Sequence, residues 1–268
     1  MSAPSMQWPL EALWEAVAPV LPGFTVELLP EVDSTNSELM RRARQGQQEP
    51  VLLVAQQQTA GRGRMGRQWL SGEAQGAAAQ LTFSLGLSLA PLDWSGLSLA
   101  VGLSVAQSLH PDIGLKWPND LWWHERKLAG ILIETANCGA VSASRYVVIG
   151  IGINIQIPAA AGLSTAPAGL VELLPGVDAA QALARIAAPL VQTVQAFEAR
   201  GFAPFQSAFN ALDVLAQLPV TLSDGMQGVA QGVDATGALL VRTSQGVQRV
   251  TSSEVSVRAQ SGPQYAHL

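Results

Sequence analysis

The chain has 268 residues, of which 48% are hydrophobic and 13% charged, with a net charge of −5. That is enough apolar sequence for a sizeable core, which excludes a disordered polymer, and the acidic balance argues against a general nucleic-acid binder, which presents a basic face. The single cysteine, Cys138, excludes an internal disulfide and a cysteine-based zinc site, fits a reducing compartment, and reads as a small buried residue near a strand end.

Taken in order, Pro9–Val17 is a short amphipathic helix with neither the basic start nor the apolar run of a signal peptide. Phe24–Leu29 is a strand. "DSTNSELMRRARQG" predicts a helix with Thr35 as cap, Glu38 three residues on, and Gly46 past its end. Val51–Gln56 and Leu81–Leu89 are buried strands, and Ser95–His110, apolar all round, is a buried helix capped by Ser95. "IGLKWPNDLWW" places an Asn119-Asp120 turn after Pro118. "RKLAGILIET" and "RYVVIGIGINIQI" are central strands, the first forming a hairpin with what precedes it. The uncharged run Tyr146–Val171 is broken by Asn154, Pro158 and Pro167, so it is no membrane span. Asp178–Arg200 is a helix that Pro189 should kink or split, and Phe202–Leu215 a shorter one. From Leu218 short alternating strands separated by "SDG", "DATG" and "SQG" predict a small all-β module, with the boundary near Ala216.

One loop departs from the acidic average. "QQTAGRGRMGRQW", Gln57–Trp69, carries three arginines and three glycines between Gly61 and Arg67. Gly61, Gly63 and Gly66 spell G-x-G-x-x-G after a strand, but no amphipathic helix opens there and no acid follows the next strand, so a dinucleotide site is not supported. The phosphate-loop pattern fails because Arg67-Gln68 stands where Lys-Ser/Thr is needed. What remains is chemistry: guanidinium forks suit phosphate and carboxylate, glycines let backbone N–H groups approach, and Trp69 adds a stackable wall. The three histidines build no metal cluster: His110 ends a helix, His124 sits in a turn and His267 in the tail.

"DSTN" at Asp33, "QTAGRGRMGRQW" at Gln58, "KWPNDL" at Lys116, "KLAGILIE" at Lys127 and "VIGIGINI" at Val148 occur in that order. Together they resemble the biotin–protein ligase (biotin–[acetyl-CoA-carboxylase] ligase) family, over about Pro30–Asn154. The resemblance implies an α+β fold: a mixed β-sheet catalytic domain flanked by helices, class II synthetase-like, over 1–215, and a small SH3-like β-barrel over 216–268. Met65 stands where the family's loop usually carries arginine. Some members carry a helix-turn-helix repressor domain in front; Met1–Gly23 has room for one short helix, so the chain is expected in the ligase-only class.

The reaction so implied activates biotin with ATP and Mg²⁺ to biotinyl-5′-AMP. It then transfers biotin to a lysine of the biotin carboxyl carrier protein of acetyl-CoA carboxylase. Two anions meet in the first step, which calls for fixed positive charge. By resemblance Arg64, Lys127 and Asp120 carry the chemistry. Ser34, Thr35, Asn36, Gln58, Gly61, Arg62, Gly63, Arg64 and Lys127 bind biotin, and Arg64, Arg67, Trp69, Asn119 and Asn154 the nucleotide. Asp120 has three open roles: orienting the incoming lysine, taking its proton, or helping to place Mg²⁺. Outside their motifs, Lys127 reads as an exposed hairpin lysine, Asn119 and Asp120 as turn formers, and Arg258 as a solvated strand-end residue. A cytoplasmic enzyme without nucleic-acid or membrane partners is expected, with homodimerisation open. The rival readings are a lipoate–protein ligase and a non-catalytic biotin-binding regulator.

Overall fold

The computed structural model describes residues 7–69, 79–136, 144–159, 165–251 and 257–259. Cys138 and His267 lie outside these residues, and of Arg258 only the backbone is described. The helices are α1 (Leu10–Val17), α2 (Thr35–Arg44), α3 (Leu97–Leu109), α4 (Ala179–Arg200) and α5 (Gln206–Leu212). The strands of the first sheet are β1 (Thr25–Val32), β2 (Val51–Gln58), β3 (Gln80–Leu89), β4 (Gly114–Lys116), β5 (Asp120–Trp123), β6 (Arg126–Ala136) and β7 (Arg145–Asn154). Their order in the sheet is β1-β2-β3-β7-β6-β5-β4. Only β1 and β2 run parallel, joined by α2 as the crossover helix; the other pairs are antiparallel. This is the mixed sheet expected.

The central strands are apolar on both faces because both are covered. In β2, Leu52 and Val54 join the main core, whereas Val51 and Leu53 join a second cluster with Leu39, Met40 and Ala43 of α2. Strand β7 obeys the same period of two. Val147, Ile149, Ile151 and Ile153 enter the main core with residues of α3 and α4, and Tyr146 and Val148 pack under α2. On that second face the hydrophobic run then stops: Gly150, Gly152 and Asn154 follow. Their register partners on β3 are Ser84, Thr82 and Gln80. Beyond α2, one face of the sheet therefore becomes a polar, glycine-paved floor.

Three local expectations are corrected. The cap of α2 is Ser34, whose side chain accepts from the Ser37 N–H, while Thr35 is already the first helical residue and buried. The cap of α3 is Gly96 in the left-handed region (φ +82°), a conformation that Ser95 would adopt only with strain. Pro189 does not split α4, which runs unbroken over 22 residues. Ile186, Leu190, Val191 and Val194 are all buried on that helix, and this packing outweighs the missing hydrogen bond. The second short helix is α5 preceded by one 3-10 turn, Ala203–Phe205. Strands β5 and β6 form the expected hairpin through His124-Glu125, both at positive φ.

The second sheet contains β8 (Pro219–Leu222), β9 (Gln227–Val233), β10 (Leu239–Thr243), β11 (Gly246–Val250) and β12 (Val257–Ala259), all antiparallel, in the order β11-β10-β9-β8-β12. Val220, Leu222, Ala230, Leu239 and Val241 are continuous with the main core. The fully buried Trp117 donates its indole N–H to Gly237 O at 3.1 Å, so the "KWPND" segment is bonded directly to the "DATG" turn.

Candidate active site

A cavity of about 1430 Å³ opens over the polar floor, lined by the first turn of α2, the Gln58–Trp69 loop, the Lys116–Asp120 segment, β6, β7 and parts of the C-terminal sheet. All five motifs contribute to it.

The neutral end comes from "DSTN". Asp33 accepts the Ser34 N–H at 2.7 Å and a two-pronged contact from Arg41 at 2.7 and 2.9 Å, which fixes the start of the helix. The Arg41 contact holds the Asp33 carboxyl below the ordinary carboxylate range, against a smaller opposing effect of burial. Ser34, Thr35 and Asn36 are each 3% exposed. Gln58 Oε1 accepts from Thr35 N at 2.8 Å and lies 3.2 Å from Thr35 Oγ1. Ser84 Oγ sits 2.7 Å from Thr35 Oγ1 and 2.6 Å from Asn36 Oδ1. Asn36 Nδ2 donates to Leu132 O at 3.1 Å and Glu134 Oε2 at 3.0 Å. This is a connected chain of amides and hydroxyls with no net charge of its own, the donor and acceptor set that a neutral polar ligand requires.

The arginine loop is a closed hairpin. Gly63 N donates to Arg67 O at 2.7 Å and Trp69 N to Gly61 O at 2.9 Å, with a single 3-10 turn, Arg64–Gly66, at the tip. Among the described residues no α-helix opens at this loop, so the G-x-G-x-x-G spacing gains no support as a dinucleotide site. A Cβ on Gly61 would lie 2.5 Å from Trp69 O, so this rung admits only glycine. Met65 holds φ +57° at the tip, is 59% exposed, and contributes to the cavity lining. Arg64 turns inward, with Nη1 3.3 Å from Asn119 Oδ1. Burial lowers its basicity; nearby Asp120 opposes this and Arg67 adds to it. A guanidinium nonetheless stays charged. Arg67 is exposed at the rim.

Trp69 packs against the glycine floor: Cβ atoms built on Gly152 and Gly130 would meet its ring at 2.5 and 3.3 Å. Its Nε1–H is buried and makes no hydrogen bond among the described residues. Lys127 Nζ stands 5.9 Å from the centre of the same ring and donates to Asp120 Oδ1 at 2.7 Å. The hairpin thus turns Lys127 into the cavity rather than to solvent. Asn119 is held by its own bond to Ile131 O at 2.8 Å, which aims its oxygen at Arg64.

Two expected site residues, Arg62 and Asn154, line the cavity and also make side-chain hydrogen bonds within the chain. Asn154 lines the cavity, but its amide is used within the chain: Nδ2 donates to Ala168 O at 3.1 Å and Lys127 O at 3.3 Å, and Oδ1 accepts from Gln80. Arg62 points to Glu134 and Ser37. Sequence reading missed Ser84 and Glu134. Ser84 had no signal beyond a polar residue in an apolar strand, whereas Glu134 was in plain sight at the end of "KLAGILIE".

Residues 28–154 match the biotin/lipoate A/B protein ligase family, and residues 219–258 match the biotin protein ligase C-terminal domain. The Bifunctional ligase/repressor BirA of Escherichia coli is 33% identical over 249 residues, covering 89% of this chain and 76% of the relative. The chain belongs to this ligase family. A Biotin--[acetyl-CoA-carboxylase] ligase of Paracoccus denitrificans is 31% identical, with 85% of this chain and 98% of that relative covered. Among solved structures, the biotin protein ligase of Aquifex aeolicus in complex with biotin and ATP superposes with a TM-score of 0.73 at 28% identity, covering 88% and 99% of the two chains. The five sequence motifs of this chain converge on the cavity.

Proposed function

We propose that the chain is an ATP-dependent biotin–protein ligase and that this cavity performs both half-reactions. The observation that carries the proposal is the pairing, within one cavity, of an uncharged amide–hydroxyl end with a cationic end made by Arg64 and Lys127. The uncharged end, Ser34 to Asn36 with Gln58, suits the biotin urea ring; Trp69 and the glycine floor suit its apolar body. Arg64 and Lys127 hold the biotin carboxylate and the α-phosphate together while a carboxylate oxygen attacks phosphorus and pyrophosphate leaves. In the second step an uncharged carrier lysine attacks the acyl carbon, the acyl–oxygen bond breaks so that AMP leaves, and the proton of the amine passes to solvent water. Asp120, ion-paired to Lys127, keeps that ammonium on the reacting oxygens.

Among the described residues no three His, Cys, Asp or Glu side chains form a metal cage. Asp120 is a cavity carboxylate. That donor set suits Mg²⁺ held chiefly by phosphates and water, where it would neutralise phosphate charge. We assign residues 1–215 to catalysis and 216–268 to a module closing the cavity. No helix among the described residues is long and apolar enough to cross a membrane, and we place the enzyme in the cytoplasm.

Purified protein, biotin, Mg·ATP and a biotin carboxyl carrier domain should give an avidin-reactive carrier. A carrier left unlabelled beside a working control ligase would refute the assignment. Arg64→Ala should lower kcat/KM by roughly 10²-fold, the cost of removing one preorganised charge donor.

A further inference from the structure

The arginines of the loop do not share one task. Arg64 faces Asn119 within the cavity. Arg62 instead places Nη2 2.7 Å from Glu134 Oε1 and Nη1 3.2 Å from Ser37 Oγ. The other Glu134 oxygen accepts from Asn36 Nδ2 at 3.0 Å. Glu134 stands on β6 opposite Val148, one step along the same face from the Leu132–Gly150 pair under Asn36. A single carboxylate thus grips the loop with one oxygen and the neutral end of the cavity with the other. Its neighbour Arg62 is already charge-matched, so it adds little field on a substrate anion.

We infer that Glu134 is a positioning residue for the ligation reaction. Through Arg62 it fixes where the loop closes, and through Asn36 it fixes the uncharged pocket, so the distance between that pocket and Arg64 is held by one side chain. Arg62 is then a tether, not a ligand of the substrate carboxylate. This rests on the ligase reading of the cavity.

The test compares the full-length wild-type protein with Glu134→Gln, Arg62→Ala, Arg62→Lys and the double variant Glu134→Gln/Arg62→Ala. Pyrophosphate release is measured with varied biotin at saturating Mg·ATP. Each of Glu134→Gln and Arg62→Ala should raise the KM for biotin by roughly three- to tenfold, the range for a partly exposed, charge-assisted pair, with kcat within about twofold. The double variant should lose clearly less than the product of the two single losses, because the two changes share the Arg62–Glu134 interaction, and Arg62→Lys should recover most of the loss. Trypsin cleavage after Arg64 and Arg67 in the folded protein should accelerate in Glu134→Gln without a matching fall in Tm. Losses that multiply in the double variant, or a Glu134→Gln protein with wild-type KM and wild-type cleavage, would overturn the inference. Arg62→Ala alters only an exposed loop residue, so Arg62→Ala against Arg62→Lys decides the matter if Glu134→Gln does not fold. A wild-type protein that releases no pyrophosphate would refute the ligase reading instead, and the cleavage comparison, which needs no substrate, would still test the tether.

Discussion

At the scale of single residues, chemistry is set by what surrounds a side chain. Asp213, after α5, is 8% exposed. One oxygen accepts the Leu215 N–H at 2.9 Å; the other is buried with no hydrogen bond among the described residues. Burial pushes its carboxyl up to about 6 from an ordinary 3.8, with the Leu215 bond opposing. An acid raised in the fold binds its proton more tightly folded than unfolded, so its contribution favours folding at low pH. That contribution is lost as pH rises from about 4 to about 6 and is flat above. Asp213→Asn keeps the acceptor for Leu215 and removes the charge. Relative to the variant, the wild type should lose roughly 2 kcal/mol of stability between pH 4 and pH 7, read by urea unfolding. Parallel curves for the two proteins would show that the carboxylate is not desolvated. Nothing in "NALDVLAQ" marks this aspartate as buried, because its burial depends on the segment pairing with Leu115, a hundred residues earlier in the chain.

At the scale of elements, the loop works because strand β7 changes character midway. The alternation that puts isoleucines into the core leaves Gly150 and Gly152 on the opposite face, and Trp69 rests on the bare backbone. Gly152→Ala places a Cβ against the indole ring and lifts the end of the loop. The expected result is a loss of kcat/KM of about tenfold or more, since displacements near 1 Å are that costly in a preorganised site. Tm should change by no more than a few degrees. Activity equal to wild type would mean that the ring does not need this floor. The glycines were legible as positions of close approach, but not what approached them, because the partner comes from a loop some eighty residues away in sequence. Pro189 shows the opposite limit: local propensity predicted a kink or a split, and the helix continues through the proline with its buried face intact.

For the molecule as a whole, the C-terminal sheet is joined to the seven-stranded sheet through Trp117. The bond to Gly237 O, the pairing of Asn210 with Val233 through two hydrogen bonds at 2.8 and 3.1 Å, and the shared core make one cooperative body. Trp117→Phe should leave a buried carbonyl unpaired and a small void, lowering stability by about 1–3 kcal/mol in a single urea transition followed by circular dichroism. An unchanged midpoint would show that the seam is held by other contacts. The same tryptophan precedes Pro118 and Asn119, so the seam also sets where the Asn119–Arg64 contact forms.

By itself, the amino-acid sequence determined the strands, most helices, the order of the five motifs and the kind of chemistry the arginine loop supports. Those properties are local: they follow from apolar periodicity, from turn residues and from the donor geometry of guanidinium groups. The tertiary structure alone decided that Arg64 faces the cavity while Arg62 binds Glu134, that Lys127 is paired with Asp120, and that Asn154 bonds to Gln80 and to the Ala168 and Lys127 carbonyls. Each of these is a choice of partner, and partners are set by sheet register and loop closure between segments far apart in the chain.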